Sequence, residues 1–183
     1  AEHRVLLCAV ELCSLQYFFH WAPDKLVSNA LFADGAAAVV GCAGVSGNGH
    51  GRIEQTGSFL FPETDDAMTW RLSNHGFEMS LSPRVPDAIA TKLKPWLAAW
   101  LADAGLAVED VQHWAIHPGG PRILSAVAEA LELPADALAT SRQILANYGN
   151  MSSPTVLFIL NRMREENARG PCVVLGFGPG LVA

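Results

Sequence analysis

The stretch Val111-Gln-His-Trp-Ala-Ile-His117-Pro-Gly-Gly-Pro121 decides the fold of this 183-residue chain. Its first six residues, 111–116, are mostly apolar and predict a buried strand. The glycines and prolines that follow predict a sharp turn, and the residues after Pro121 carry apolar side chains at helical spacing. A strand that passes through a tight turn into a helix is typical of α/β proteins, so this stretch predicts that class.

The C-terminal sequence repeats the alternation of strand and helix. Apolar side chains at helical spacing predict helices over 86–105 and 136–146. Another helix is expected after Ser153, because Ser153-Pro154 fits an N-cap followed by a proline in the first turn. Residues 172–175 predict a last buried strand. The second half of the chain is therefore expected to layer helices on a sheet.

The N-terminal sequence predicts strands and one boundary. Residues 4–11 and 36–40 are interpreted as two buried strands. Residues 53–61 and 69–82 alternate loosely, as in strands with one covered face. Five glycines fall within the eleven residues 41–51, which makes this segment the candidate boundary or linker.

The composition excludes several classes of protein. Half of the residues are hydrophobic, 16% are charged, and 12 basic against 18 acidic residues give a net charge of −6. A chain with no cluster of cations is not expected to bind nucleic acid or an anionic membrane surface. Its apolar runs fall short of the ~20 residues that span a bilayer, and residues 1–20 do not resemble a signal peptide. We therefore expect a globular cytoplasmic protein.

The four cysteines indicate neither a disulfide framework nor a metal site. Cys8, Cys13, Cys42 and Cys172 are sparse and form no C-x-x-C pair, so no metal is predicted. Cys8 lies in a predicted strand, away from any basic group or helix N-terminus that would lower a thiol pKa. Cys8 and Cys13 are therefore not expected to be nucleophiles, and Cys42 and Cys172 are interpreted as small core residues.

Two turns place a donor side chain at the end of an apolar element. His117 follows the 111–116 strand, at the sheet edge where α/β proteins bind ligands, although an isolated histidine can equally be a capping or core residue. Asn150, in Tyr148-Gly-Asn-Met-Ser-Ser153, precedes a helix whose free N–H groups favour negative charge, or it serves only as a left-handed turn. An imidazole and a carboxamide, both neutral at pH 7, can stabilise a thioester enolate and a tetrahedral oxyanion.

Three further features have a structural and a functional interpretation. Gly176-Phe-Gly-Pro-Gly180 allows close approach of backbone to a ligand, but a tight structural turn explains it locally. Asp34 could be a catalytic acid, whereas Asp-Gly before a strand is more often a turn. Trp96 and Trp100 lie at helical spacing and are expected in the core.

These motifs together resemble the type III polyketide synthases, the chalcone synthase-like family. The resemblance rests on the turns that begin at His117, Tyr148 and Gly176, in that order along the chain. Leu31-Phe-Ala-Asp-Gly-Ala-Ala-Ala38 fits the same family pattern, and Trp70…His75-Gly-Phe-Glu-Met-Ser-Leu-Ser82 resembles its bacterial form. The resemblance implies a thiolase-like fold, a mixed sheet layered with helices. It also implies that a homodimer catalyses a decarboxylative Claisen condensation of malonyl-CoA with an acyl-CoA starter. No cofactor is expected, because the CoA thioesters are the substrates.

Site residues follow from the resemblance by position. His117 and Asn150 are similar to the catalytic pair that polarises the thioester carbonyls. Substrate-binding positions are expected at Phe32, Trp70, Met79, Gly119, Ser152, Gly176, Phe177, Gly178 and Pro179. Trp70 stands where plant members of the family carry glycine, and Met79 stands where they carry phenylalanine. Cys13 and Gln16 replace threonines that line the plant cavity. A different starter or chain length is therefore expected.

The resemblance also predicts that part of the enzyme lies outside this chain. The family's nucleophilic cysteine precedes the strand that residues 4–11 resemble. Residues 1–44 would end one thiolase-like half, and 45–183 would form most of the other without its last strand. We expect the chain by itself to be inactive.

Two alternatives remain open at this stage. A ketoacyl synthase III-like condensing enzyme would dock an acidic carrier protein and would need a basic surface, for which the region of Arg122 offers one charge. A non-catalytic partner subunit would instead complete its sheet with another chain.

Overall fold

The computed structural model describes residues 3–17, 19, 21, 23–43, 51–74 and 76–183. The helices and strands along these residues are β1 (Arg4–Glu11), α1 (Pro23–Leu31), β2 (Gly35–Cys42), β3 (Met68–Ser73), β4 (Gly76–Leu81), α2 (Val85–Ala102), β5 (His113–Ile116), α3 (Pro121–Ala130), α4 (Ala139–Tyr148), α5 (Ser153–Glu165) and β6 (Cys172–Leu175). Alternating strands and helices confirm the α/β class. Most of the predicted 41–51 boundary, residues 44–50, and His75 of the Trp70 motif lie outside the described residues, and the division at 44/45 stays a prediction.

Three strand pairs form the described sheets. β5 and β6 are parallel, with Ile116 opposite Leu175, so the chain must cross over through α3, α4 and α5 between them. The pairs β1–β2 and β3–β4 are antiparallel. The described strands thus form two antiparallel pairs and one parallel pair, and His117 and Gly176 leave the parallel β5–β6 pair at the same edge.

The main core lies in the C-terminal part of the chain. Leu93 and Leu97 of α2 pack with Ile116 of β5 and with Leu124 and Val127 of α3, and each is at most 1% exposed. Their i, i+4 spacing on α2 and i, i+3 spacing on α3 turns one apolar face of each helix inward. Trp96 and Trp100 are partly buried against this cluster, which agrees with their predicted core position.

The first two strands are not buried as the sequence predicts. Val5, Leu6 and Val10 of β1 are 65–67% exposed, and Val40 of β2 is 63% exposed. In the described part of the chain each of these strands pairs only with the other, so the two-stranded ribbon has no neighbouring strands. Helix α5 contacts both strands. The apolar pattern predicts the strands correctly, but their burial requires a further layer.

Residues 53–61 do not form the predicted strand. This segment is extended and meets the C-terminal residues instead, since the Phe59 and Ala183 backbones exchange two hydrogen bonds of 2.8 Å. Phe59 also stacks on Trp96 with ring centroids 5.3 Å apart. The segment covers the aromatic face of α2 rather than extending a sheet.

The beginning of α5 differs from the predicted cap. The helix starts at Ser153, and the preceding Ser152 has a φ of 58° and makes no side-chain cap. The Ser153 hydroxyl donates to Glu11 Oε1 at 2.6 Å, and the Thr155 hydroxyl accepts a hydrogen bond from Met151 N at 2.9 Å. Thr155, not Ser153, therefore satisfies a backbone N–H group at this end.

Two further expectations concern exposure. Cys42 and Cys172 are exposed and so are not the small core residues that the sequence predicts. Cys42 ends the exposed strand β2, and Cys172 lies on the outward face of β6, whose alternate residues Val173 and Leu175 are buried. Separately, no helix within the described ranges has the length and apolar character needed to cross a membrane.

Candidate active site

His117 lies directly after β5 and is held by its backbone. Its N–H donates to the Leu175 carbonyl at 2.7 Å, and its carbonyl accepts from Gly119 N at 3.0 Å. A Cβ built on Gly176 would lie 3.7 Å from His117 Cβ, so the start of the 176–180 turn adjoins this histidine. The position of the imidazole at the sheet edge therefore depends on both β5 and β6.

Burial keeps the His117 imidazole neutral. Desolvation lowers its pKa from 6.5 to about 4, since a buried site disfavours the charged ring. The His117 ring forms no hydrogen bond with the other described residues. A neutral imidazole carries one N–H donor and one acceptor nitrogen, so at pH 7 it can donate a hydrogen bond to a developing oxyanion.

Asn150 is 2% exposed, and hydrogen bonds hold both its backbone and its side chain. Its backbone N–H donates to Leu31 O at 2.8 Å, and its carbonyl accepts from Ala33 N at 2.9 Å. Its side-chain Oδ1 accepts from Ser152 N at 2.8 Å, which orients the carboxamide so that its NH₂ group is the donor end.

The left-handed turn residue of this loop is not Asn150. Positive φ angles occur at Gly149 (75°) and at Ser152 (58°). A Cβ built on Gly149 would also lie 3.0 Å from Ala33 Cβ, so glycine fits a close approach here. The interpretation of Asn150 as a left-handed turn is therefore wrong, and its buried polar side chain needs another role.

The loops of His117 and Asn150 meet at the end of α1. A Cβ built on Gly120 would lie 3.6 Å from Leu31 Cδ2, and Asn150 N binds the carbonyl of the same leucine. A second connection joins Ile116 N to Ser141 Oγ of α4 at 3.2 Å, and α4 leads into the Asn150 loop. The fold thus brings the two loops to one residue, although 32 positions lie between their functional side chains.

A cavity of about 110 Å³ lies beside this junction. Four predicted substrate-binding residues line it: Phe32, Trp70, Met79 and Ser152. Cys13 and Gln16, the positions that replace threonines, also line it. Trp70 and Met79 are paired across β3 and β4, so the two departures from the plant pattern are neighbours in one wall.

Sequence reasoning missed the other half of the cavity wall. The additional lining residues are Glu11, Leu12, Tyr17, Lys25, Ser28 and Asn29. Three of them, Lys25, Ser28 and Asn29, share one face of α1 at i, i+3 and i+4, and Phe32 follows at the next turn. This spacing was the available signal, but the nine-residue helix was not predicted.

The remaining predicted site residues lie elsewhere. His117, Asn150, Gly119 and the 176–179 segment do not line the cavity. Phe177 packs near Phe61 with ring centroids 6.4 Å apart, and Pro179 is exposed. Gly178 exchanges backbone hydrogen bonds with Val182, which supports the structural interpretation of that turn.

The cysteine at the cavity is not an activated nucleophile. Burial raises the pKa of the Cys13 thiol, and the nearby carboxylates of Glu11 and Asp34 raise it further. Cys172 is exposed as a residue, but partial desolvation of its thiol raises its pKa as well. A thiol in such a site stays protonated at pH 7, in agreement with the sequence expectation for Cys13.

Asp34 has a structural partner. Its two carboxylate oxygens accept hydrogen bonds of 2.7 Å from Ser14 N and Ser14 Oγ, and these bonds lower its pKa. An exposed carboxylate with a lowered pKa is ionised at pH 7 and is poorly suited to donate a proton. The structure therefore favours the turn interpretation over the catalytic-acid interpretation.

The chain resembles solved structures of polyketide synthases. The chain resembles a synthase, PKS-I, from the brown alga Ectocarpus siliculosus, with a TM-score of 0.86 and 29% identity over 98% of this chain and 50% of that one. It also resembles 1,3,6,8-tetrahydroxynaphthalene synthase from Streptomyces coelicolor, a bacterial type III polyketide synthase, with a TM-score of 0.86 and 35% identity over 98% of this chain and 52% of that one. The class is therefore the thiolase-like α/β fold of type III polyketide synthases.

The sequence comparisons define the family. The family model "Chalcone and stilbene synthases, C-terminal domain" matches residues 53–183, and the chain belongs to this family. It is 41% identical to the 1,3,6,8-tetrahydroxynaphthalene synthase of Streptomyces peucetius, over all of this chain and 50% of that protein. The chain spans about half the length of the curated relatives that it matches, and it corresponds to their C-terminal portion.

Proposed function

We propose that this chain supplies the oxyanion-stabilising half of an active site for decarboxylative Claisen condensation. The observation that carries the proposal is a pair of neutral donor groups, the buried Asn150 and the partly buried His117, whose loops both approach Leu31. Membership of the chalcone and stilbene synthase family supports the same reaction class. Malonyl-CoA and an acyl-CoA starter are the proposed substrates.

In the proposed reaction, the two donors together stabilise the negative charge that develops on the thioester oxygen. Cleavage of the bond between the malonyl carboxylate and its α-carbon releases CO₂ and moves the electron pair into an enolate. N–H groups of His117 and Asn150 stabilise the enolate oxygen. The enolate carbon then attacks the acyl thioester carbonyl, forms the new C–C bond, and expels the thiolate. Preorganised donors lower such barriers by roughly 3–4 kcal/mol each.

The thiolate that carries the acyl group is proposed to come from outside the described residues. Cys13 and Cys172 have raised pKa values, and Cys8 lies on exposed β1. The chain alone should therefore form no polyketide from malonyl-CoA. Product formation by the isolated chain, abolished by Cys13→Ser or Cys8→Ser, would contradict this part of the proposal.

The test is decarboxylation of malonyl-CoA by the enzyme that contains this chain. His117→Ala or Asn150→Ala should each lower the rate by roughly 10²–10³-fold, because each removes one donor. His113→Ala is the matched control, since His113 lies four residues earlier and its ring contacts the Arg169 carbonyl. Near-normal rates in both site variants, with unchanged circular dichroism, would contradict the proposed function.

The remaining expectations on partners follow from the same resemblance. A homodimer, a cytoplasmic location and the use of free CoA thioesters rather than a carrier protein are proposals. Assays in which carrier-protein thioesters replace malonyl-CoA and the acyl-CoA starter distinguish the use of free CoA thioesters from the use of a carrier protein. A higher kcat/KM with the carrier protein would favour the ketoacyl synthase III-like alternative.

A further inference from the structure

The cavity wall is attached to the Asn150 loop through a short segment, residues 31–34. On one side, the Leu31 carbonyl and the Ala33 N–H form hydrogen bonds with the backbone of Asn150. These two bonds pair Phe32 with Asn150 as in a parallel sheet. On the other side the segment binds the turn Cys13–Gln16. Phe32, Cys13 and Gln16 all line the cavity, so this segment fixes the relative position of two parts of one wall.

Two contacts make the connection to the turn. Tyr17 Oη donates to the Phe32 carbonyl at 2.9 Å. Ser14 donates twice to Asp34, from its backbone N and from its hydroxyl, at 2.7 Å each. Hydrogen bonds to an ionised acceptor are about twice as strong as neutral ones, and two donors from one residue restrict its orientation. Asp34 and Ser14 do not line the cavity themselves.

We propose that Asp34, through Ser14, is a positioning residue that sets the acyl-chain selectivity of the cavity. It holds the turn that carries Cys13 and Gln16 at a fixed separation from Phe32. One methylene group in an apolar pocket changes discrimination by about 10-fold or more, so a small shift of this wall should alter the choice of starter. This inference rests on the proposed function and identifies what determines the substrate at the same site.

A positioning role and a catalytic-acid role predict different results. Asp34→Ala removes both acceptors and should change the ratio of kcat/KM values between short and longer acyl-CoA starters by about tenfold. The rate of malonyl-CoA decarboxylation should stay within about twofold, because the bonds of Asn150 to Leu31 and Ala33 remain. Loss of decarboxylation in Asp34→Ala without rescue in Asp34→Asn would show an acid role and overturn the proposal.

Conservative variants keep the test valid if Asp34→Ala folds poorly. Asp34→Asn can accept from Ser14 N and donate to Ser14 Oγ, so its selectivity should match the wild type. Ser14→Ala removes only the hydroxyl and should give a smaller shift in the same direction as Asp34→Ala. Unchanged selectivity in both Ser14→Ala and Asp34→Ala would overturn the proposal.

A second exposed carboxylate, Asp66, shows whether a loss of stability without any shift of the cavity wall changes selectivity. Asp66 is also exposed and accepts two hydrogen bonds, of 2.8 and 2.7 Å, from Arg84, away from the cavity. Asp66→Ala should leave starter selectivity unchanged, and an equal shift there would overturn the proposal. Failure of the proposed function is seen separately, as normal decarboxylation in His117→Ala and Asn150→Ala.

Discussion

The β1–β2 ribbon and the C-terminal layers have similar apolar patterns but different burial. Leu6 of β1 is 65% exposed, whereas Leu93 of α2 is fully buried. Helices α2 and α3 cover the β5–β6 region, while α5 is the helix that contacts both ribbon strands. The comparison teaches that apolar periodicity predicts which element forms, whereas its burial depends on a covering layer elsewhere in the protein.

The largest expected effect tests this comparison directly. Leu93→Ala should lower the free energy of unfolding by about 2–5 kcal/mol, because it leaves a cavity in the main core. Leu6→Ala on the ribbon should change it by less than about 0.5 kcal/mol, as for an exposed site. Urea unfolding of the 183-residue chain measures both, and an equal loss would mean that the ribbon is covered in solution.

A second prediction sharpens the comparison within the ribbon itself. A Cβ built on Gly35 would lie 2.7 Å from Met151 Cβ, whereas a Cβ on Gly41 meets nothing within 4 Å. Gly35→Ala should therefore lower the free energy of unfolding by about 1–3 kcal/mol, because the Asn150 loop must shift. Gly41→Ala is the control in the same strand, and thermal melts of the two variants should differ clearly. Equal melting temperatures would contradict the close approach.

A third prediction concerns pH and the buried edge of β5. The folded pKa of His117 is lowered from 6.5 to about 4, so the unfolded chain binds a proton between these values that the folded chain does not. Stability should therefore fall as pH decreases through this window, by about 1 kcal/mol between pH 6 and 5, and be unaffected above it. His117→Gln should lose this slope in urea titrations. An identical slope in the variant would show that His117 is exposed in solution.

The smallest expected effect belongs to the exposed Asp34–Ser14 pair. The hydrogen bonds from Ser14 hold the Asp34 pKa below its ordinary 3.8, so their contribution is present above that value and lost as pH falls through the lower folded value. The stability difference between wild type and Asp34→Ala should therefore be small at pH 7 and should shrink as the pH falls below 3.8. Chemical unfolding across this pH range checks this, and a constant difference would contradict the assigned cause.

Local turn chemistry explains what could be predicted from the sequence. The glycines and prolines around His117 place it at the end of β5, and the same residues open α3. Gly149 takes the positive φ that lets Asn150 reach Leu31. These are short-range constraints, so sequence reasoning recovers both turns and the α/β class.

Long-range constraints explain what could not be predicted. The exposure of β1 and β2 depends on which layers cover them. The extended 53–61 segment forms backbone hydrogen bonds with Leu181 and Ala183, more than 100 residues further along the chain. The cavity residues on α1 come from a nine-residue amphipathic helix that was not predicted, and its polar face becomes a cavity wall only beside distant segments. Contacts between distant segments are set by tertiary packing, which local periodicity does not encode.

The hydrogen bond from Ser153 to Glu11 has a consequence for the order of folding. It joins positions 142 residues apart and connects the ribbon to the start of α5. Closing so long a loop requires a large loss of chain entropy, while the contacts between α2 and α3 or between α4 and α5 are much closer in sequence. We therefore expect the C-terminal helices to assemble early in folding and the ribbon to dock late, which would make docking of the ribbon the slow step.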